Sequence, residues 1–182
     1  MLARQIASGA PYDVFLSADE ARVKALTAGG DLIPDSVVVY AQGRIALWSK
    51  SGSIRSLADL TAPGILHIAI ANPAHAPYGV AARQALEKSG LWTTLGKKIV
   101  YGESVRQALE YAESGNADAA ITAWSLVSQK GGILLPPNLH NPIRQAGGVV
   151  KTSKNPEAAR AFLRFLVSAD GRRILENHGF TR

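Results

Sequence analysis

The stretch His67-Ile68-Ala69-Ile70-Ala71-Asn72-Pro73-Ala74-His75-Ala76-Pro77-Tyr78-Gly79-Val80-Ala81-Ala82-Arg83 decides the fold. It opens as a short, bounded apolar run, the pattern of a buried strand. Asn72-Pro73 ends that strand, because a residue before proline leaves the helical region and proline donates nothing to a ladder. Pro77 suits the first position of a helix, and Val80, Ala81, Ala85 and Leu86 recur at helical spacing. A strand therefore feeds a loop, and the loop feeds a helix. The residue before Pro77 is Ala76, which has no side chain able to cap the first N–H groups. Those of Tyr78 and Gly79 are expected to face outward, and Gly79 is expected to let a ligand approach the backbone. A helix N-terminus with open donors suits an anion. Water would serve it too, and for one such turn alone water is the better reading.

Outward from this stretch, the same alternation continues. Tyr12–Leu16 reads as an apolar strand, and Ser17 with Glu20 forms a capping-box pattern before a helix that stops at Gly29-Gly30. Ser36–Tyr40 and Arg44–Trp48 are both β-rich around Ala41-Gln42-Gly43, as a hairpin or as one long strand bent at Gly43. Ile54–Leu60 reads as a short helix. Beyond Arg83 come a helical turn at Leu91–Gly96 and a strand at Ile99–Tyr101. A helix with an apolar stripe of Val105, Ala108, Leu109 and Ala112 follows, capped by Ser104 and Gln107. Ala119–Trp124 is a further apolar strand, and Ile143–Lys151 an extended run containing glycines. Asn155-Pro156 starts a helix with a strong core face, and Asp170 caps a last one.

Strands alternating with helices predict an α/β architecture with mostly parallel sheets. Ser36–Lys50 and Ile143–Lys151 interrupt the alternation and would be two crossing hinge strands between two lobes. Lobe one would hold residues 1–40 and 150–182, and lobe two residues 41–149, with a ligand at the C-terminal ends of the strands.

The chain has 182 residues, 47% of them hydrophobic and 19% charged, with a formal net charge of +6. Its basic residues are spread out and not interleaved with aromatic ones, which argues against a nucleic-acid surface. No apolar run is long enough to cross a bilayer. There is no cysteine, which excludes a disulfide framework and a thiol metal site and fits an exported protein. The segment after Met1 lacks the apolar core of a signal peptide. It reads as the end of an amphipathic helix, so further N-terminal sequence is expected.

Nucleophile elbows, phosphate loops, dinucleotide fingerprints and zinc-protease motifs are all missing. His67, His75, His140 and His178 are scattered one per segment, so no free metal ion is expected. What recurs is the strand–loop–helix turn, at Asn72–Gly79, Gly102–Arg106 and Ser17–Glu20. The turns at Tyr78 and Val105 would lie in one lobe and converge on one oxyanion. Backbone amides suit a fully ionised anion because they bring dipoles without a counter-proton.

Several segments together resemble the periplasmic molybdate-binding proteins, the solute receptors of molybdate ABC transporters. They are Gly9-Ala10-Pro11-Tyr12-Asp13-Val14-Phe15-Leu16-Ser17-Ala18-Asp19, Asn72-Pro73-Ala74-His75-Ala76-Pro77-Tyr78-Gly79, Gly102-Glu103-Ser104-Val105-Arg106-Gln107-Ala108-Leu109 and Gly179-Phe180-Thr181. The resemblance spans essentially the whole chain. It implies a two-lobed α/β receptor of the type II periplasmic-binding-protein architecture, holding a molybdate or tungstate oxyanion by neutral hydrogen bonds. It implies no catalysis and no cofactor, a periplasmic or extracytoplasmic location, and a membrane permease as partner. By the same resemblance Tyr78 matches the ligand-contacting residue of its loop, with Pro77 and Gly79 beside it. Val105, preceded by Ser104, matches the residue whose backbone N–H binds the anion. Thr122 stands where other branches carry a tyrosine. The family's first strand and two hydroxyl-bearing loops have no counterpart here, so lobe one is expected to be incomplete, with an unpaired edge at Tyr12–Leu16. The competing reading is a ligand-sensing module of a transcription regulator with the same two-lobed fold.

Overall fold

The computed structural model describes residues 2–182. It divides the chain into two compact units, Met1–Gly43 with Arg144–Arg182, and Arg44–Ile143.

In the first unit, α1 (Leu2–Ala7), β1 (Val14–Ser17) and α2 (Glu20–Ala28) precede β2 (Val38–Gly43). The second unit opens with β3 (Ile45–Trp48) and a 3-10 turn at Ala58–Thr61, where the sequence reading has a short helix. It continues through β4 (Ile68–Ala71), α3 (Pro77–Lys88), α4 (Trp92–Leu95), β5 (Ile99–Gly102), α5 (Val105–Ser114), β6 (Ala119–Ala123), α6 (Trp124–Val127) and β7 (Ile133–Leu134). Strand β8 (Ile143–Val149) leads back to the first unit, which ends with α7 (Pro156–Val167) and α8 (Ala169–Asn177).

The first unit's sheet has the order β1-β8-β2, and β1 pairs antiparallel with β8, Val14 opposite Val149 and Ser17 opposite Ala146. Because β8 is the middle strand and β2 runs on to Gly43, residues 41–43 and 144–149 belong to this unit. The sequence boundaries at 40/41 and 149/150 shift accordingly. Strands β2 and β3 lie in different sheets, so Val38–Trp48 is not a hairpin. Period-2 alternation places Phe15 against Ile6, Val23, Leu26 and Leu32, while Val14 packs with Val149, Ala159 and Leu163. Asp13 ties the start of β1 to the loop after β8, accepting from Ser153 Oγ at 2.6 Å and Asn155 Nδ2 at 3.3 Å. Tyr40 donates to Gln145 Oε1 at 3.2 Å, and burial pushes its phenol up to about 12.

The second unit's sheet has the order β5-β4-β6-β3-β7. Strand β4 runs parallel to both neighbours, whereas β3 is antiparallel to β6 and β7. The α/β class holds, but the expectation of mostly parallel sheets does not: β1 pairs antiparallel with β8, and the second unit's sheet is mixed. β1, β3 and β7 supply the antiparallel pairings, and none of them is joined to its neighbour by a strand–helix–strand crossover. Every residue of β4 and of β6 is buried, the pattern of strands inside a covered sheet. Ala69 and Ala120 meet Ala108, Ala112 and Ala117, so α5 lies close to the sheet over a surface of methyl groups.

Two expected caps fall elsewhere, and a third makes no capping bond. The N-cap of α2 is Asp19, whose Oδ1 accepts from Ala21 N–H at 2.9 Å, and Ser17 Oγ instead accepts from Asp19 N–H at 3.1 Å. Asn155 precedes α7 but makes no capping bond, its amide being turned to Asp13. Helix α8 starts two residues earlier than its sequence pattern indicates, capped by Ser168 Oγ on Gly171 N–H at 3.2 Å. In each case several capping residues sit within one turn, and the chain's entry direction chooses among them.

Candidate functional site

The second unit's two strand–loop–helix turns are neighbours because their strands are. Strands β4 and β5 pair in parallel with Ala71 opposite Gly102, the last residue of each. Both loops therefore leave the same edge of the sheet, at the C-terminal ends of the strands. Asn72 N–H donates to the Gly102 carbonyl at 2.8 Å and carries the pairing one step into the loops. Farther out, His75 Nε2 lies 3.2 Å from Glu103 Oε2, with the two side chains 42% and 80% exposed. Water screens that contact, which is a minor tie beside the backbone one.

The loop before α3 is shaped by Asn72. Its Oδ1 accepts from Ala74 N–H at 2.9 Å, and its carbonyl accepts from His75 and Ala76 at 3.2 and 2.9 Å. Ala76 caps with no side chain, and Pro77 brings no N–H. Gly79 N–H donates to the Ala76 carbonyl at 2.9 Å, so the expected open donor at Gly79 is already in use. Its missing side chain also has another purpose than ligand approach. A Cβ there would press into the carbonyl oxygen of Ala71 and lie 2.9 Å from Pro73 N. Glycine lets α3 begin directly against the end of β4. Tyr78 occupies the second helical position, where a helix supplies no acceptor of its own, and the residue is only 8% exposed.

The second turn is capped as its sequence indicates. Ser104 Oγ accepts from Gln107 N–H at 3.2 Å, and Gln107 Oε1 accepts from Glu103 N–H at 2.6 Å. The Ser104 carbonyl accepts from Ala108 N–H at 3.0 Å. Ser104 thus builds the turn, and Val105 and Arg106 hold the first two helical positions, whose N–H groups point out of the helix end. Gly102 is needed for closeness here too, since a Cβ would lie 2.8 Å from Ala108 N.

Thr122 is the departure among the expected ligand residues. It is fully buried on β6, and its Oγ1 donates to the Val105 carbonyl at 2.8 Å. Its hydroxyl addresses α5 itself. The sequence holds no local signal for this contact, which joins residues 17 apart. The third turn, Ser17–Glu20, lies in the first unit and differs in kind. Asp19 puts its own carboxylate at the N-terminus of α2, where it takes the N–H of Ala21.

The second unit therefore carries two helix N-termini side by side, with Tyr78, Val105 and Arg106 in their first turns. Such an arrangement offers partial positive charge and neutral donors, the chemistry of oxyanion capture. Among the described residues no group of three His, Asp or Glu side chains is placed to hold a metal ion, and no helix is long and apolar enough to cross a membrane.

The family model described as bacterial extracellular solute-binding protein matches residues 1–181. The molybdate-binding protein ModA of Rhodobacter capsulatus is 37% identical over 180 residues, which cover 97% of this chain and 71% of that protein. The fold superposes on the periplasmic molybdate-binding protein of Azotobacter vinelandii with a TM-score of 0.91 and 32% identity, covering all of this chain and 83% of that one. The sulfate-binding protein SubI of Mycobacterium tuberculosis, at 20% identity, shares the fold with a TM-score of 0.78 over 98% of this chain and 71% of that one.

Proposed function

We propose, from the premise that this chain belongs to the bacterial extracellular solute-binding proteins, that it captures molybdate outside the cytoplasm for the membrane permease of an ABC transporter. Its task is binding, without catalysis. The observation that carries this reading is the pairing of Ala71 with Gly102, which sets the first turns of α3 and α5 next to each other. The names of its relatives supply the particular anion.

In this reading the Val105 N–H and the Tyr78 side chain contact the anion. Pro77 fixes the entry angle of α3, Gly79 fixes its closeness to β4, and Ser104 keeps the first turn of α5 wound. A dianion at two helix ends is stabilised by dipoles already oriented by the fold, so little reorganisation accompanies binding. Size gives selectivity. Donors fixed for the longer metal–oxygen bond reach molybdate and tungstate equally and fall short of sulfate.

Titration calorimetry with molybdate, tungstate, sulfate and phosphate tests this. Molybdate and tungstate are expected to bind one per chain and to displace each other, with sulfate weaker by at least about tenfold, or 1.4 kcal/mol. Equal affinity for sulfate and molybdate would overturn the assignment.

A further inference from the structure

The two outward N–H groups of α5 belong to peptide units whose other ends are carbonyls. The Val105 N–H shares its peptide with the Ser104 carbonyl, and the Arg106 N–H shares its peptide with the Val105 carbonyl. Both carbonyls are held. Ser104 O accepts from Ala108 N–H at 3.0 Å inside the helix. Val105 O accepts from Thr122 Oγ1 at 2.8 Å, from the neighbouring sheet.

The second bond is unusual in its placement. Thr122 has no exposed surface, and it sits one residue beyond the Ile70–Ile121 pair that joins β4 to β6. It shares a face of β6 with Ala120, which packs against Ala108 and Ala112 of α5. A carbonyl oxygen has two lone pairs, so Val105 O can serve the helical ladder and Thr122 together. Accepting a hydrogen bond at the carbonyl end polarises the N–H at the other end of the same peptide. A rigid sheet thereby fixes the direction of the Arg106 N–H and strengthens it as a donor.

We infer that Thr122 is a positioning residue of the oxyanion site, acting through the Val105–Arg106 peptide, and that the backbone N–H of Arg106 is a donor to the anion beside that of Val105. This rests on the oxyanion reading above and deepens it. Neither group touches the anion through a side chain, so the Arg106 guanidinium is not needed. A buried hydroxyl on one element controls an N–H at the mouth of another.

The test uses Thr122→Val, which keeps the shape and removes the hydroxyl, with Thr122→Ser as the conservative variant. Two readouts are taken, molybdate affinity by calorimetry and the Arg106 amide resonance in the unliganded protein. Thr122→Val is expected to weaken molybdate binding by roughly three- to tenfold, the range for one hydrogen bond, and to move the Arg106 amide proton to higher field. Thr122→Ser should restore both. Unchanged affinity and an unmoved Arg106 amide in folded Thr122→Val would overturn the inference while leaving the oxyanion reading standing. A wild-type chain that binds no molybdate, with its Arg106 amide still dependent on Thr122, would overturn the oxyanion reading itself and the assignment of Arg106 as a donor to it.

Discussion

Gly79→Ala is the sharpest perturbation of the site's architecture. The added Cβ would clash with the carbonyl oxygen of Ala71, with Ala71 C at 2.7 Å and Pro73 N at 2.9 Å. All three are backbone atoms, so no side chain can rotate out of the way. Overpacking ordinarily costs about 1–3 kcal/mol, and a clash with backbone belongs at the upper end. Alanine recovers at most about 1 kcal/mol of helix propensity. The net loss is then about 2–3 kcal/mol, which for a chain of this length lowers the melting temperature by roughly 4–12 °C. Because relief requires α3 to move away from β4, molybdate affinity should fall with stability. Thermal unfolding by circular dichroism, with calorimetry, measures both. Gly96→Ala is the control. Gly96 has φ −54° and ψ −33°, and a Cβ there meets only Trp92 Cε2 at 4.0 Å, so little change is expected. A Gly79→Ala protein that melts within about 1 °C of wild type and binds molybdate normally would refute the claim that closeness is what this glycine supplies.

Tyr78→Phe should weaken molybdate binding by about 1.5–3 kcal/mol, the worth of a hydrogen bond to a charged group. Val105→Ala should cost little, because its contribution is backbone; calorimetry giving the reverse order would disprove the division of roles. At low pH, Asp118 matters. Backbone N–H groups of His67 and Leu66, the latter at 2.7 Å, hold its carboxyl below the ordinary range. The unfolded chain therefore binds its proton first, and the stability Asp118 supplies is present above the ordinary carboxylate value and is lost as pH falls through its depressed one. Urea midpoints between neutral and acid pH should fall less steeply for Asp118→Asn than for wild type, and parallel curves would contradict this. At the alkaline end, burial holds the Tyr40 phenol up at about 12, above its ordinary 10.0. Its neutral form supports the fold fully below 10 and ceases to as pH rises through 12. Tyr40→Phe should flatten the alkaline loss of stability in that window, and an unaltered slope would assign the loss to other groups.

What could be read from sequence, and what could not, follows from the range of the interactions involved. The alternation around His67–Arg83 is local, and period, proline and glycine signals were enough to place β4, α3, β5 and α5. Ser104 was legible as a cap because Gln107 stands three residues on. Ser17 and Asp170 misled because a competing cap, Asp19 or Ser168, lies two residues away and tertiary entry angles choose between them. The antiparallel pairing of β3 depends on which sheet that strand joins, a matter of topology that periodicity does not encode. The purpose of Gly79 was half legible. Its need for a bare backbone showed in the motif, but that the space is filled by Ala71 depends on how α3 docks. Thr122 stands out in the sequence only through the resemblance, and its bond to the Val105 carbonyl, a contact over 17 residues, has no sequence period.

The central claim is that the first turns of α3 and α5 together hold an oxyanion, α5 by its backbone N–H groups and α3 by the Tyr78 side chain. Amide resonances followed while molybdate is titrated into the isotopically labelled chain test it most directly. The account expects saturable shifts concentrated at Tyr78, Val105 and Arg106, fading along both helices, with sulfate producing the same pattern only at higher concentration. Shifts centred on basic side chains elsewhere, such as Arg160 and Arg164 of α7, or none at these three amides, would contradict it.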